Sequence, residues 1–267
     1  MIHIIILNIF TENSIIFKYS ELTFNMLLDM KRKDIDIPTC VHCKNSNGKG
    51  LLCCLPESDK QLLSENKCHR YYKKGEVIFL EGNHANGIFC LYKGKVKLVK
   101  LGKEGKEQIV RLSKEGDILG YRSLLSADVY QATAVALDDS YICHISKDIF
   151  LQTIKSNPTL SFEIIQLLSS DLKNAEQHLI NFTQKTVKER ISEAILLLAS
   201  TFGYLIDGKT INIKMNRSEI AEMASTTTES AIRTLSALQE EGMISLNGKY
   251  IVIHNMKELI RSTHVND

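Results

Sequence analysis

The chain has 267 residues and a formal charge of +2, with apolar and charged fractions ordinary for a globular protein. That length suits two domains with a substantial core, and the near-neutral charge excludes a polybasic protein that holds nucleic acid by general attraction. No apolar run approaches the ~20 residues a membrane helix needs, and seven cysteines, an odd number without a small disulfide scaffold, fit a reducing compartment, the cytoplasm by default.

The opening MIHIIILNIF is apolar, yet no basic flank precedes it and no small-residue cleavage site follows. Residues 1–35 therefore read as an N-terminal extension, either disordered or left by a start codon placed too early, with Met26 and Met30 as alternative starts. A real element or a signal is the other reading.

Residues 36–156 read as a cysteine-rich segment followed by a β domain. The pattern Cys40-x2-Cys43-x9-Cys53-Cys54 is a thiol cluster with His42 inside it. PESDKQLLSENK predicts a short helix within residues 55–68. From Tyr71 to Ile149 short β-type runs such as EVIFLEG, GIFCLYKG, KVKLVKLG, KEQIVRL, YQATAVAL and SYICHIS alternate with glycine turns, the pattern of an antiparallel sandwich or barrel. Cys68 and Cys90 lie on apolar runs and are expected in the core.

After Asn157-Pro158 the pattern turns helical over 157–184. Ile165, Leu168, Leu172, Ala175, Leu179 and Phe182 are spaced 3, 4, 3, 4, 3, a heptad seam. Periodicity alone allows a helix packed on its own domain as readily as a coiled-coil dimer interface.

Residues 185–267 form the last domain. TVKERISEAILLLASTF predicts an amphipathic helix ending at Gly203, and TINIKM (210–215) a strand. A first short helix over Arg217–Ala224 buries Ile220 and Met223 or Ala224. The turn is Ser225-Thr226. A second helix starts at the Thr226-Thr227-Thr228 cluster, whose hydroxyls can cap free N–H groups. It keeps Ala231, Leu235 and Leu238 on one face and Thr228, Glu229 and Arg233 near the other. MISLNGKYIVIH then predicts a hairpin around Asn247-Gly248. Helix, strand, helix-turn-helix and hairpin together describe a winged helix, and its second helix suits a DNA major groove. The domain holds ten Lys/Arg and ten Asp/Glu, so placed side chains must supply any DNA contact.

No phosphate-binding Gly-Lys loop, GxSxG, HExxH or paired catalytic carboxylates occur, so no enzyme is expected. His84, His144 and His178 are isolated and read as surface or satisfied core histidines.

The order β-roll, long helix, winged helix resembles the CRP/FNR family of bacterial transcription regulators over about residues 70–255. KKGEVIFLEG, GIFCLYKGKVKLVK, GKEQIVRLSKEGDILGYRSL and NRSEIAEMASTTTESAIRTLSALQEEGMISLNGKYIVI carry the match. The resemblance implies an α+β chain: an antiparallel, jelly-roll-like sensor domain, a dimerisation helix and a C-terminal winged helix-turn-helix. It implies a cytoplasmic homodimer on near-palindromic double-stranded DNA, with RNA polymerase as a further partner if the protein activates. The family's base-reading positions fall on Thr228, Glu229, Ile232 and Arg233, with Thr227, Arg217 and Lys249 as further DNA contacts. Ser225 stands where the family usually has a turn glycine. The resemblance also moves the 165–182 seam towards a dimer interface.

Members that bind cyclic AMP carry Gly-Glu and Arg-Ser pairs in the roll. Here these positions read Gly120-Tyr121 and Gln131-Ala132, so the effector pocket, assigned to Gly120, Tyr121, Arg122, Ser123 and Gln131, lacks the cation for a cyclic phosphate. The effector is therefore expected to be something other than cyclic AMP. The family's oxygen-sensing branch uses three N-terminal cysteines and one in the roll, where Cys143 falls. Cys40, Cys43, Cys53, Cys54 and Cys143 are thus candidate ligands of an iron–sulfur cluster. Inert thiols, zinc or a thiol redox switch are the competing readings. An alternative for the whole chain is a cyclic-nucleotide-like or thiol-based regulatory module that acts through a protein partner.

Overall fold

The computed structural model describes residues 37–45, 50–102 and 105–263. The apolar start with Met26 and Met30 lies outside these residues. The chain divides into Met1–Pro38 and Thr39–Asp267, and the second unit carries every element described below. Among the described residues no helix is long and apolar enough to cross a membrane.

A 3-10 turn, Leu51–Cys54, leads into α1 (Glu57–Glu65), the expected short helix. Eight strands follow: β1 (Lys67–Tyr72), β2 (Val77–Phe79), β3 (Gly87–Lys93), β4 (Val96–Leu101), β5 (Glu107–Ser113), β6 (Ile118–Leu119), β7 (Thr133–Ala136) and β8 (Ser140–Ser146). A short α2 (Tyr121–Leu125) interrupts them. They form two antiparallel four-stranded sheets, ordered β1-β8-β3-β6 and β2-β7-β4-β5. Alternate residues face inward, so Phe89, Leu91 and Ile142 of one sheet meet Val96, Ala134 and Phe79 of the other. The other parity of the first sheet, Ile88 and Ile145, lies under an outer apolar layer from Leu52, Leu55, Leu63, Phe150 and Leu160.

Helices α3 (Lys147–Ser156) and α4 (Pro158–Gln184) then leave the roll. The break between them is local chemistry. Pro158 occupies the first turn of α4, where its missing N–H costs nothing, and the Asn157 side chain accepts from the Leu160 amide at 3.0 Å. Leu160 and Ile164 anchor the start of α4 in the outer layer. Beyond them the helix leaves its apolar seam uncovered: Ile165, Leu172 and Leu179 are 58%, 62% and 66% exposed. Ala175 is also exposed, whereas Leu168 packs partly on the roll, and the Phe182 side chain lies outside those described.

The C-terminal domain comprises α5 (Val187–Phe202), α6 (Arg217–Met223), α7 (Thr228–Glu240), β9 (Ile244–Asn247), β10 (Tyr250–Ile253) and α8 (Met256–Arg261). Its core joins Ile191, Ile195 and Leu198 of α5 to Ile220, Ala231, Leu235, Leu238 and the hairpin's Ile244 and Ile251. Val99, Ile109 and Leu137 of the roll belong to the same core.

The structure corrects three local expectations. The 210–215 segment makes isolated bridges, Thr210 to Val252 and Ile211 to Tyr204, instead of a regular strand. The Ile213 amide turns back to the Ile211 carbonyl at 2.8 Å, which breaks the ladder. The hairpin pairs Asn247 with Tyr250, so its two loop residues are Gly248 and Lys249, one position later than the Asn-Gly pattern placed them. Cys68 is exposed: it sits on β1 at the edge of its sheet, where no strand covers it.

Candidate nucleic-acid interface

The reading head is built by capping. The Asn216 side chain accepts from the Glu219 amide at 2.8 Å while Glu219 accepts from the Asn216 amide at 2.9 Å, a reciprocal box that starts α6. Thr227 caps α7 by accepting from the Ser230 amide at 3.2 Å. Ala231, Leu235 and Leu238 are fully buried, which fixes the opposite face outward. There Glu229, Ile232 and Arg233 are exposed and Thr228 is half-buried. Thr228 and Ile232, like Glu229 and Arg233, stand four positions apart, so each pair lies along one side of the helix near its N-terminus. Hydrogen bonds from its own backbone amide and from Thr227, helped by the Arg233 charge, hold the Glu229 carboxyl below its usual range. It is therefore an ionised acceptor at neutral pH.

Arg217 donates to the Gly248 carbonyl at the wing loop (3.4 Å), and Lys249 is exposed at its tip.

Ser225 adopts φ +48°, the left-handed conformation that favours glycine. The strain costs about 1 kcal/mol. Several groups hold the turn in place. Arg190 of α5 donates from Nε to the Ala224 carbonyl (2.8 Å) and from Nη2 to that of Ser225 (3.5 Å). From the roll, Gln108 donates to the Glu222 carbonyl and accepts from Ser225 Oγ at 3.1 Å. Lys97, also from the roll and nearly buried, lies 3.5 Å from Glu219 and 3.4 Å from Glu222. Sequence reading missed these residues because their partners lie more than 30 positions away. A buried Lys in a strand pattern was the one available signal.

The pocket positions are brought together only in part. Gly120 has φ +81°, and a Cβ there would press on the Tyr130 ring and the Gly87 carbonyl, so this glycine serves the roll's own packing. Tyr121 is buried and its hydroxyl donates to Asp171 of α4. Arg111 of β5 pairs with the same carboxylate and donates to the Tyr121 hydroxyl at 3.0 Å, while Arg122 Nε donates to Asp171 at 2.9 Å. Burial alone would raise the Asp171 carboxyl, but bonds from Arg122, Tyr121 and Arg111 outweigh it and hold the pKa below the usual range. Gln131 is turned to Asp128 and the Val129 carbonyl, and its amide reaches Ser123 Oγ at 3.3 Å. Ala132 beside it is apolar and buried. Of the positions assigned to the effector pocket, Gln131 has its side-chain amide engaged within its own loop and Tyr121 has its hydroxyl bonded to α4.

The five candidate thiol ligands separate. Cys40, Cys43 and Cys143 are buried, Cys54 is half-buried and Cys53 exposed. Cys54 Sγ is directed at the Leu51 carbonyl (3.4 Å). Cys90, expected in the core, is half-buried and lies directly opposite Cys143 in the sheet.

Comparison with known proteins gives two family matches: a cyclic nucleotide-binding domain over residues 69–157 and a Crp-like helix-turn-helix domain over residues 189–262. The chain is 30% identical to electron transport regulator A of Shewanella oneidensis, over 70% of this chain and 75% of that protein. It is 30% identical to the global nitrogen regulator of a Nostoc species, over 71% and 86%. The structure of FixK2 from Bradyrhizobium japonicum superposes with a TM-score of 0.66 at 23% identity, over 73% of this chain and 96% of that one.

Proposed function

The chain belongs to the CRP/FNR family of transcription regulators, and we propose that it reads a near-palindromic DNA site as a homodimer. The observation that carries this reading is the outward stripe Thr228, Glu229, Ile232 and Arg233 on α7, held at its base by the Thr227 cap. Arg233 suits guanine O6 and N7, and Glu229 suits cytosine N4. Arg217 and Lys249 then supply phosphate contacts that fix the register of the wing.

The uncovered seam of α4 supports the dimer. Exposed Ile165, Leu172 and Leu179 recur every seventh residue on one side of a helix roughly 40 Å long, too regular for scattered surface residues. A two-fold partner would bury them and set two α7 helices about one DNA turn apart. In Leu172→Glu the two new carboxylates would face each other across that axis. Sedimentation should show a shift from dimer to monomer with helix content retained. An unchanged dimer would remove α4 from the interface.

The effector in this reading is not cyclic AMP. Support comes from Gln131 and Tyr121, whose polar groups are already engaged within the chain. Titration calorimetry should give no heat of binding with cyclic AMP at micromolar concentrations; a saturable micromolar isotherm would overturn the point. A cytoplasmic location, and RNA polymerase as the partner of an activating form, belong to the same proposal.

A further inference from the structure

We propose that Gln108 of the roll is a positioning residue for DNA reading: through Ser225 in the α6–α7 turn it fixes where α7 stands relative to the α4 seam, and so sets the half-site spacing the dimer accepts. This role rests on the homodimeric reading above.

Ser225 is the residue that needs an explanation. A glycine would hold φ +48° without strain, yet a serine stands there. What the serine adds is a hydroxyl, and its Oγ donates to Gln108 Oε1 at 3.1 Å. The other end of the same amide, Gln108 Nε2, donates to the Glu222 carbonyl in the last turn of α6. A side-chain amide carries a donor and an acceptor together, which this two-sided grip requires.

A second strand of the roll holds the same helix. Nearly buried Lys97 of β4 lies 3.5 Å from Glu219 and 3.4 Å from Glu222. Val99, Ile109 and Leu137 share one apolar core with Ile220 and Ala224. Glu229, Ile232 and Arg233 stay exposed all the while. The roll thus supports the reading head without covering its reading residues.

The same strand reaches the dimer helix. Arg111, three residues after Gln108 on β5, pairs with Asp171 of α4, the residue before Leu172 of the seam. Between them the register slips: Leu98 faces Arg111 and Val99 faces Ile109, so Val110 is left over as a β-bulge that bends the strand. Along the chain, by contrast, Asp171 and Ser225 are more than 50 residues apart. That covalent route passes through extended backbone at Lys185 and Thr186, where α4 gives way to α5. Without β5, the placement of the head would rest on that break alone.

The test measures binding of the full chain to its selected palindrome, to the same site with the spacer one base pair shorter or longer, and to a single half-site. One base pair moves a half-site by about 3.4 Å and turns it by about 35°. The wild type should bind both altered spacers about tenfold more weakly than the palindrome, because protein or DNA must deform to reach them. Gln108→Ala should narrow that gap to about threefold, half the penalty on a logarithmic scale. Its affinity for the single half-site and its base preference should match the wild type. Ser225→Gly covers the case of a misfolded variant: relief of the strain should keep its melting temperature at or above that of the wild type, while its spacing preference relaxes in the same way. An unchanged tenfold gap in either variant would overturn the role. So would an equal loss on every duplex, the mark of a merely structural residue, or tighter binding to all of them, the mark of a restraint. A wild type that binds the single half-site as tightly as the palindrome would instead remove the homodimeric reading, and this role with it.

Discussion

Replacing Arg233 with Ala should cost about 1–3 kcal/mol at the cognate site and relax the preference for one base pair in each half-site. The side chain is exposed on α7, on the side opposite the buried Ala231, Leu235 and Leu238. Its removal therefore leaves folding intact and the loss appears in binding alone. The domain's balance of ten basic and ten acidic residues makes the effect visible, because little general attraction remains to mask a lost base contact. Competition binding against a panel of single-base variants separates the roles. A loss confined to one position marks base readout, whereas an equal loss on every sequence marks a phosphate contact.

Asp171→Asn should destabilise the chain by about 2–3 kcal/mol. Breaking a fully buried ion pair costs about 3–5 kcal/mol because the remaining charge is stranded. Arg111 keeps 22% side-chain exposure and Asp171 14%, so the effect is placed below that range. Asn preserves shape but not charge, and leaves Arg111 without its counterion against the Tyr121 ring. The acid limb provides a second readout. The Asp171 pKa is held below its usual 3.8, so its stabilisation is complete above the unfolded value and fades as pH falls through the depressed folded one. Urea midpoints measured from neutral pH down to about pH 3 should therefore fall less steeply in the variant than in the wild type. Parallel curves would mean the triad carries no net stabilisation.

The winged domain was the most legible part of the chain, and for physical reasons. Its signals are local: Asn216 with Glu219, the threonine cluster before Glu229, and the spacing of Ala231, Leu235 and Leu238 act within a turn or two of helix. Even the strain at Ser225 was foreseeable from a residue standing where glycine would be easier. Non-local partnerships were hidden. Nothing in the heptad pattern marks Asp171 as the residue that ties α4 to the roll, since it sits between seam positions among other polar residues. Cys90 packs against the outer apolar layer as its apolar run suggests, but its place opposite Cys143 follows only from the β3–β8 register, across more than 50 positions. Gln108 and Lys97 likewise acquire their roles only when the roll meets α6.

Selection of binding sites from random duplex DNA with the purified protein is the most direct test of the homodimeric reading head. The expected result is a near-palindrome with two inverted half-sites about one helical turn apart, a guanine in each half-site that is lost from the pattern selected by Arg233→Ala, and two chains per duplex. Recovery of a single unpaired half-site, or of no consensus at all, would contradict it.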